Sequence, residues 1–220
     1  MVVVQDIAGD ARRIRRREDA IRRSPVIGLD CDGVLASDRL LWEQMAKRFP
    51  KHIPSRYEDL RTFEWPRATE QTAALCAELS ADPLFTLRLA PIPGMRDALQ
   101  TLAAQGYELH VITARPACVR DATRLWLRLQ GVGQYVRGIH CVEGGPAKVP
   151  LALKLGCSAF VEDNFATAQA LGAAGIRSYL LDAPYNRLGH DATVRVENWQ
   201  TLLDDVLRAI PARPSLDRAG

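Results

Sequence analysis

The sequence predicts an α/β fold: a parallel sheet covered by helices on both faces, with a small helical cap inserted after the first strand. Three observations carry this. Short apolar runs rich in β-branched residues recur along the chain, segments of helical spacing separate the later ones, and one long interval after the first run holds helical patterns alone. Strands joined through helices of this length form parallel sheets, whose ligands gather outside the carboxyl ends of the strands.

In chain order, the first strand is VIGLD (26–30), and DG at 32–33 turns the chain behind it. From Val34 to about Pro93 no strand pattern is present. Short helices are expected instead at SDRLLWEQMAKRF (37–49), SRYEDLRTF (55–63), PRATEQTAALCAELS (66–80) and DPLFTLRL (82–89). Ser37 or Asp38 suits the cap of the first and Ser55 that of the second. GMRDALQTLAAQG (94–106) returns the chain to the sheet as a crossover helix. Strands then follow at 107–113, 136–142, 159–163 and 177–182, with helices at 114–131, 146–156 and 164–175 between them. Gly131 and Gly156 suit the ends of two of those helices.

This division gives a basic N-terminal extension (1–24), a core (25–35 and 93–210), a helical cap (36–92) and a tail (211–220). The 220 residues fit one sizeable domain with an insertion, and 47% apolar composition is enough to bury a core. No apolar window approaches a membrane span and no secretion-signal pattern is present, so a soluble, cytoplasmic chain without a membrane partner is expected. Five cysteines without CxxC spacing argue against a disulfide framework and a zinc site. The net charge of +3 equals the excess of seven arginines over four acids in residues 1–24. That leader reads as a solvated helix docked through Ile14 and Ile21, or as a basic contact for nucleic acid; the neutral remainder argues against a dedicated DNA-binding protein. The oligomeric state is open, a homodimer included.

In a parallel sheet the strand ends meet along one rim. The first strand brings Asp30 and Asp32 there, the second Thr113, and a later one Glu162 and Asp163, while Lys148 opens the preceding helix. Phosphoryl transfer from a monoester needs an oxygen nucleophile, a proton donor for the leaving oxygen and positive charge against the non-bridging oxygens. Asp30 suits the nucleophile and Asp32 the acid and base, with a pKa raised by the neighbouring carboxylate. Mg²⁺ on Asp30 and Asp163 would relieve the repulsion among the acids. Thr113 and Lys148 can bind phosphate, and Gly33 lets loop N–H groups face the anion. Lys148 is preferred to Lys154 because it stands at the helix start, nearest the rim. Arg115 either contacts phosphate or substrate or is simply exposed, and Glu162 is either a supporting acid or an outer metal ligand. The aromatics Trp42, Phe49, Tyr57, Phe63 and Trp65 either stack on a base or form the core of the cap, and His52, His110, His140 and His190 lack metal-ligand spacing.

DCDGVLA, VITAR, Lys148 and FVEDN resemble, in order and spacing, the four motifs of the haloacid dehalogenase-like phosphatase superfamily, over roughly residues 25–205. The resemblance implies a Rossmann-like three-layer core, Asp30 as nucleophile and Asp32 as general acid and base. It also implies Mg²⁺ held by the Asp30 carboxylate, the Asp32 backbone carbonyl and Asp163. PLFTLRLAPIPGMRDAL, FVEDN, DAPYNR and VRVENW are similar to the cytosolic 5′(3′)-deoxyribonucleotidase group and its bacterial relatives, whose mammalian members carry an aspartate where Glu162 stands. By that likeness PYNR (184–187) borders the site. The expected activity is that of a Mg²⁺-dependent phosphomonoesterase on a small phosphorylated substrate, foremost a (deoxy)ribonucleoside monophosphate. The alternatives are a phosphatase for another small metabolite such as a sugar phosphate, or an end-processing phosphatase brought to nucleic acid by the basic leader.

Overall fold

A computed structural model of the chain describes residues 24–188 and 193–211. Residues 1–23 of the predicted basic extension, His190 and residues 212–220 of the predicted tail lie outside them. The strands are β1 (Val26–Leu29), β2 (Glu108–Thr113), β3 (Val136–Cys141), β4 (Cys157–Glu162), β5 (Arg177–Leu181) and β6 (Val194–Val196). They form one six-stranded sheet in the order β3-β2-β1-β4-β5-β6, parallel throughout. The chain runs outward from β1 to β3 and then returns to β4 on the other side of β1. That reversal opens a crevice at the carboxyl ends of β1 and β4.

Alternating residues send apolar groups to both faces. Ile27, Leu29, Leu109, Val111, Val161 and Tyr179 meet helices α4 (Met95–Ala104), α5 (Arg120–Leu129) and α8 (Trp199–Ala209) on one face. Ile112 and Phe160 meet α6 (Lys148–Leu155) and α7 (Phe165–Ala173) on the other. The result is the three-layer arrangement expected from the sequence. Gly28 admits it locally, since a Cβ there would lie 2.4 Å from the Phe160 ring. Gly156 ends α6 at φ 72°, and Gly131 follows α5 at φ 76°, both in the left-handed region that glycine tolerates best.

The interval after β1 holds α1 (Arg39–Arg48), α2 (Glu70–Ser80) and α3 (Pro83–Arg88), with no strand among the described residues. Thr69 and Thr72 form a reciprocal capping box on α2, and Asp82 caps α3 by accepting from Leu84 N–H. One expectation fails here. The segment 55–63 forms only the 3-10 turn Tyr57–Asp59 without a Ser55 cap, because Pro54 and Pro66 bracket too few residues to nucleate an α-helix. Of the two cap candidates for α1, Ser37 Oγ accepts from Arg39 N–H at 3.3 Å, whereas Asp38 makes no capping bond and its carboxylate accepts from Tyr57 O–H.

The ends of the insertion are tied together, Ser37 N–H donating to Ala90 O and Ile92 N–H to Leu35 O, each at 2.8 Å. Its apolar cluster contains Met45, Ile53, Tyr57, Leu60 and Trp65 and takes in Ala183 and Tyr185 from the loop between β5 and β6. Trp42, Phe49 and Phe63 pack against that cluster. All five cysteines are free, and no helix among the described residues is long and apolar enough to cross a membrane.

Candidate active site

Asp30 extends the β1–β4 ladder by one bond, its N–H donating to Val161 O at 2.9 Å, so its side chain emerges at the rim. One carboxylate oxygen accepts from Cys31 N–H at 2.7 Å and the other lies 2.7 Å from Lys148 Nζ. Cys31 is wholly buried, and burial pushes its thiol up to about 12, so it packs as an apolar spacer. Gly33, at φ 70°, turns the chain. Its own N–H donates to Ala36 O at 2.8 Å, so this one amide is used within the loop. What glycine provides is room, since a Cβ would lie 2.0 Å from Asp163 Oδ2 and 2.7 Å from Tyr185 Oη.

Lys148, the first residue of α6, is buried and bridges two acids, with Nζ 2.7 Å from Asp30 and 2.8 Å from Glu162 Oε2. Lys154, on the same helix, is exposed. Burial works against the Lys148 ammonium, but Asp30 and Glu162 outweigh it and raise its pKa above the usual lysine range. Glu162 ends β4, and its carboxylate also accepts from Asn164 N–H at 3.2 Å. Burial pushes Glu162 up to about 7 against the pull of Lys148. Asp163 is raised further above its ordinary value, by burial and then by the charges of Glu162 and Asp30. Three buried carboxyl groups thus face one ammonium.

Asp30, Glu162 and Asp163 each offer an oxygen within 4.8 Å of the others. An all-oxygen, net-negative, buried set is the donor chemistry that hard divalent cations such as Mg²⁺ take. The residues therefore fit the metal, with Glu162 closer to the set than the sequence led us to expect. The Asp32 carboxylate stands outside it.

Asp32 is instead gripped by Arg115, whose Nε and Nη2 donate to its two oxygens at 2.8 and 2.6 Å. Burial would raise the Asp32 pKa, but the guanidinium charge and its hydrogen bonds prevail and hold it below the ordinary value. The raised pKa expected from the Asp30 neighbour is therefore corrected. Arg115 is 6% exposed, with Nη1 donating to Thr123 Oγ1 at 3.1 Å and its backbone N–H to Thr113 Oγ1 at 3.2 Å. It is not an exposed arginine: it grips Asp32 and ties to the end of β2. A hollow of about 350 Å³ opens beside it between the loops after β2 and β3, bounded by Pro116, Cys141 and Glu143 among others.

Residue-type reasoning missed two groups at the centre. Tyr185 O–H donates to Asp163 Oδ2 at 2.6 Å, and Asn186 Nδ2 donates to Asp163 O at 2.8 Å. Arg195 on β6 in turn holds Asn186, with Nη1 on Oδ1 and Nη2 on the carbonyl, both at 2.8 Å. Only the PYNR turn hinted at them.

Residues 24–211 match the family described as 5′ nucleotidase, deoxy (Pyrimidine), cytosolic type C protein. The chain is similar to a nucleotidase of Clostridium acetobutylicum, 31% identical over 103 residues that cover 45% of this chain and 50% of the relative. It is also similar to a phosphoglycolate phosphatase of Pseudomonas syringae pv. tomato, 30% identical over 140 residues, 57% of this chain and 48% of the relative. The chain therefore spans about half the length of these curated relatives. Among solved structures, the L-2-haloacid dehalogenase of Xanthobacter autotrophicus shares the fold at a TM-score of 0.56 and 11% identity, covering 85% of this chain and 99% of its own.

Proposed function

The chain belongs to the cytosolic type C deoxy (pyrimidine) 5′ nucleotidase family, within the haloacid dehalogenase-like hydrolases, and on that premise we propose a Mg²⁺-dependent phosphomonoesterase that works through an aspartyl-phosphate on Asp30. The substrate class is a nucleoside monophosphate, particularly a deoxyribonucleotide. The observation that carries this reading is the seating of Asp30: a carboxylate at the strand rim, aligned by Lys148 at 2.7 Å and set among the buried acids Glu162 and Asp163.

Cys31 N–H and Lys148 orient the two oxygens of Asp30, and each oxygen keeps a lone pair for attack on phosphorus. As the Asp30–phosphorus bond forms, the bond to the nucleoside oxygen breaks, and that oxygen takes a proton from Asp32. Water then attacks the phosphorus, Asp32 receives its proton, and the Asp30–phosphorus bond breaks to release phosphate. Arg115 favours the ionised, proton-accepting form of Asp32. The donor half requires Asp32 to turn away from Arg115, which a side chain 51% exposed allows. Asp30, Asp163 and the Asp32 backbone carbonyl, with Glu162 in the same acidic cluster, would hold Mg²⁺, which would supply positive charge for the phosphate oxygens. Thr113 Oγ1 accepts from Arg115 N–H, which leaves its own O–H to donate to phosphate. The helical segment 36–92 is the cap that selects the substrate, and the site lies in a soluble, cytoplasmic enzyme.

A second reading, a phosphatase for another small phosphorylated metabolite, is supported by the similarity to the phosphoglycolate phosphatase. Phosphate release with Mg²⁺ across nucleotides, sugar phosphates and phosphorylated oligonucleotides separates the two. Nucleoside monophosphates should be preferred, and Asp30→Asn should abolish turnover while leaving the fold intact. A preference for phosphoglycolate or sugar phosphates would move the substrate assignment, and activity retained by Asp30→Asn would sink the nucleophile.

A further inference from the structure

Tyr185 touches two parts of the molecule at once. It lies in the 3-10 turn Pro184–Asn186 between β5 and β6 and is 4% exposed. Its hydroxyl donates to Asp163 Oδ2 at 2.6 Å. Its ring belongs to the apolar cluster of the inserted helices, edge-on to Phe63 at 5.8 Å and to Tyr57 at 6.4 Å between ring centres. Tyr57 in turn stands edge-on to Trp42 at 5.9 Å and donates its hydroxyl to Asp38.

We infer that Tyr185 is a positioning residue that couples the seating of the helical segment 36–92 to the orientation of the Asp163 carboxylate, and thereby to Mg²⁺ binding. The inference rests on the reading above that Asp30, Glu162 and Asp163 hold the metal. There is little slack between these groups: a single added carbon at Gly33 would lie within 2.7 Å of both Asp163 Oδ2 and Tyr185 Oη. A rigid ring with one polar end transmits a shift of its apolar end directly to that end. If the inserted helices lift, Phe63 and Tyr57 leave the ring, and the hydroxyl no longer has a wall to press it against Asp163. Carboxylate ligands that accept a hydrogen bond on their second oxygen keep their orientation, and losing such a partner weakens metal affinity about 10- to 100-fold. Asn186 holds only the Asp163 backbone, so Tyr185 alone among these loop residues acts on the carboxylate.

The test measures, on the full chain, the rise of the thermal unfolding midpoint with Mg²⁺ concentration, a readout independent of turnover. Tyr185→Phe keeps the ring and removes the hydroxyl; its half-saturating Mg²⁺ should rise about tenfold. Phe63→Leu touches the ring but not Asp163, and its half-saturating Mg²⁺ should rise by roughly threefold, a fraction of the hydroxyl effect. Leu171→Val, in the cluster on the other sheet face, should bind Mg²⁺ like the wild type. Wild-type Mg²⁺ response in Tyr185→Phe overturns the positioning role. A weakened Tyr185→Phe beside an unchanged Phe63→Leu overturns the coupling to the insertion. If the wild type itself shows no Mg²⁺ response, the metal reading falls and this inference with it; in the first two outcomes the proposed function stands.

Discussion

Arg115 grips both carboxylate oxygens of Asp32, at 2.8 and 2.6 Å, yet the two partners differ sharply in exposure: the arginine side chain is 4% exposed and the aspartate 51%. Breaking the pair from opposite sides should therefore have unequal costs. Asp32→Ala leaves a guanidinium buried without its counter-charge, which destabilises by about 2 kcal/mol after allowance for the open side of the pair. That corresponds to a fall of roughly 4–8 °C in Tm for a chain of this size. Arg115→Met fills a similar volume and leaves Asp32 to water, and it should cost less than half as much. Thermal denaturation of both variants decides, and the reverse order would mean that Asp32 holds little of the arginine's charge.

Gly33→Ala and Gly131→Ala pair the same backbone strain with different surroundings. Both glycines have positive φ, 70° and 76°, a conformation that costs an L-residue about 1 kcal/mol. A Cβ at Gly131 meets nothing within 4 Å, whereas one at Gly33 meets Asp163 and Tyr185. Gly131→Ala should lose about 1 kcal/mol and keep full turnover. Gly33→Ala should lose turnover by at least about 100-fold, since the groups it displaces hold the acidic cluster. Comparable activity in the two variants would show that the loop adapts.

These contrasts also mark how far residue order alone could be read. Five strands are legible because each is an apolar run with a turn signal behind it. β6, only Val194–Val196 at the sheet edge, is too short to show alternation. Lys148, Asp30 and Asp163 come together because strand ends in a parallel sheet share a rim, a rule of topology that needs no contact information. The Arg115–Asp32 grip spans 83 residues and the Tyr185–Asp163 bond 22, and both partners lie in loops where composition signals only a turn. Reading the acidity of Asp32 from its nearest carboxylate neighbour failed for the same reason. The charge that governs it arrives from the loop behind another strand.

Asp38 gives a prediction in pH. Burial raises its pKa from 3.8 to about 6 against the hydrogen bond from Tyr57, with Asp32 adding to the rise. The folded state thus holds this proton more tightly than the unfolded chain does. The stability tied to it is complete below about pH 4 and is lost as pH rises towards 6. Asparagine keeps an acceptor for Tyr57 but cannot ionise. Between pH 4 and 7, Asp38→Asn should therefore gain on the wild type by on the order of 1 kcal/mol, the group being partly open to solvent. Denaturant unfolding at the two pH values tests this, and parallel stabilities for the two proteins would exclude a raised Asp38.

Lys148 and Glu162 form a buried pair in which the two partners should fail differently. Among the described residues Lys148 is the one ammonium within 2.8 Å of both Asp30 and Glu162, so Lys148→Met leaves those carboxylates buried without that cation. A loss of about 3–5 kcal/mol follows from stranding charge in this way, together with loss of turnover. Glu162→Gln removes the charge of one of three buried carboxyl groups; its single amide oxygen takes the place of Oε2 in accepting from Lys148, at the cost of the 3.2 Å bond that Oε1 accepts from Asn164 N–H. The metal-free protein should then be as stable as the wild type or more so at pH 8, where Glu162, pushed up to about 7, is ionised at its own cost. Lys148, freed from sharing its charge, should draw closer to Asp30. Metal-free unfolding of both variants at pH 8 reads the contrast. A Glu162→Gln protein as damaged as Lys148→Met would show that the Glu162 charge, and not the surplus of acids over a single lysine, governs the stability of the cluster.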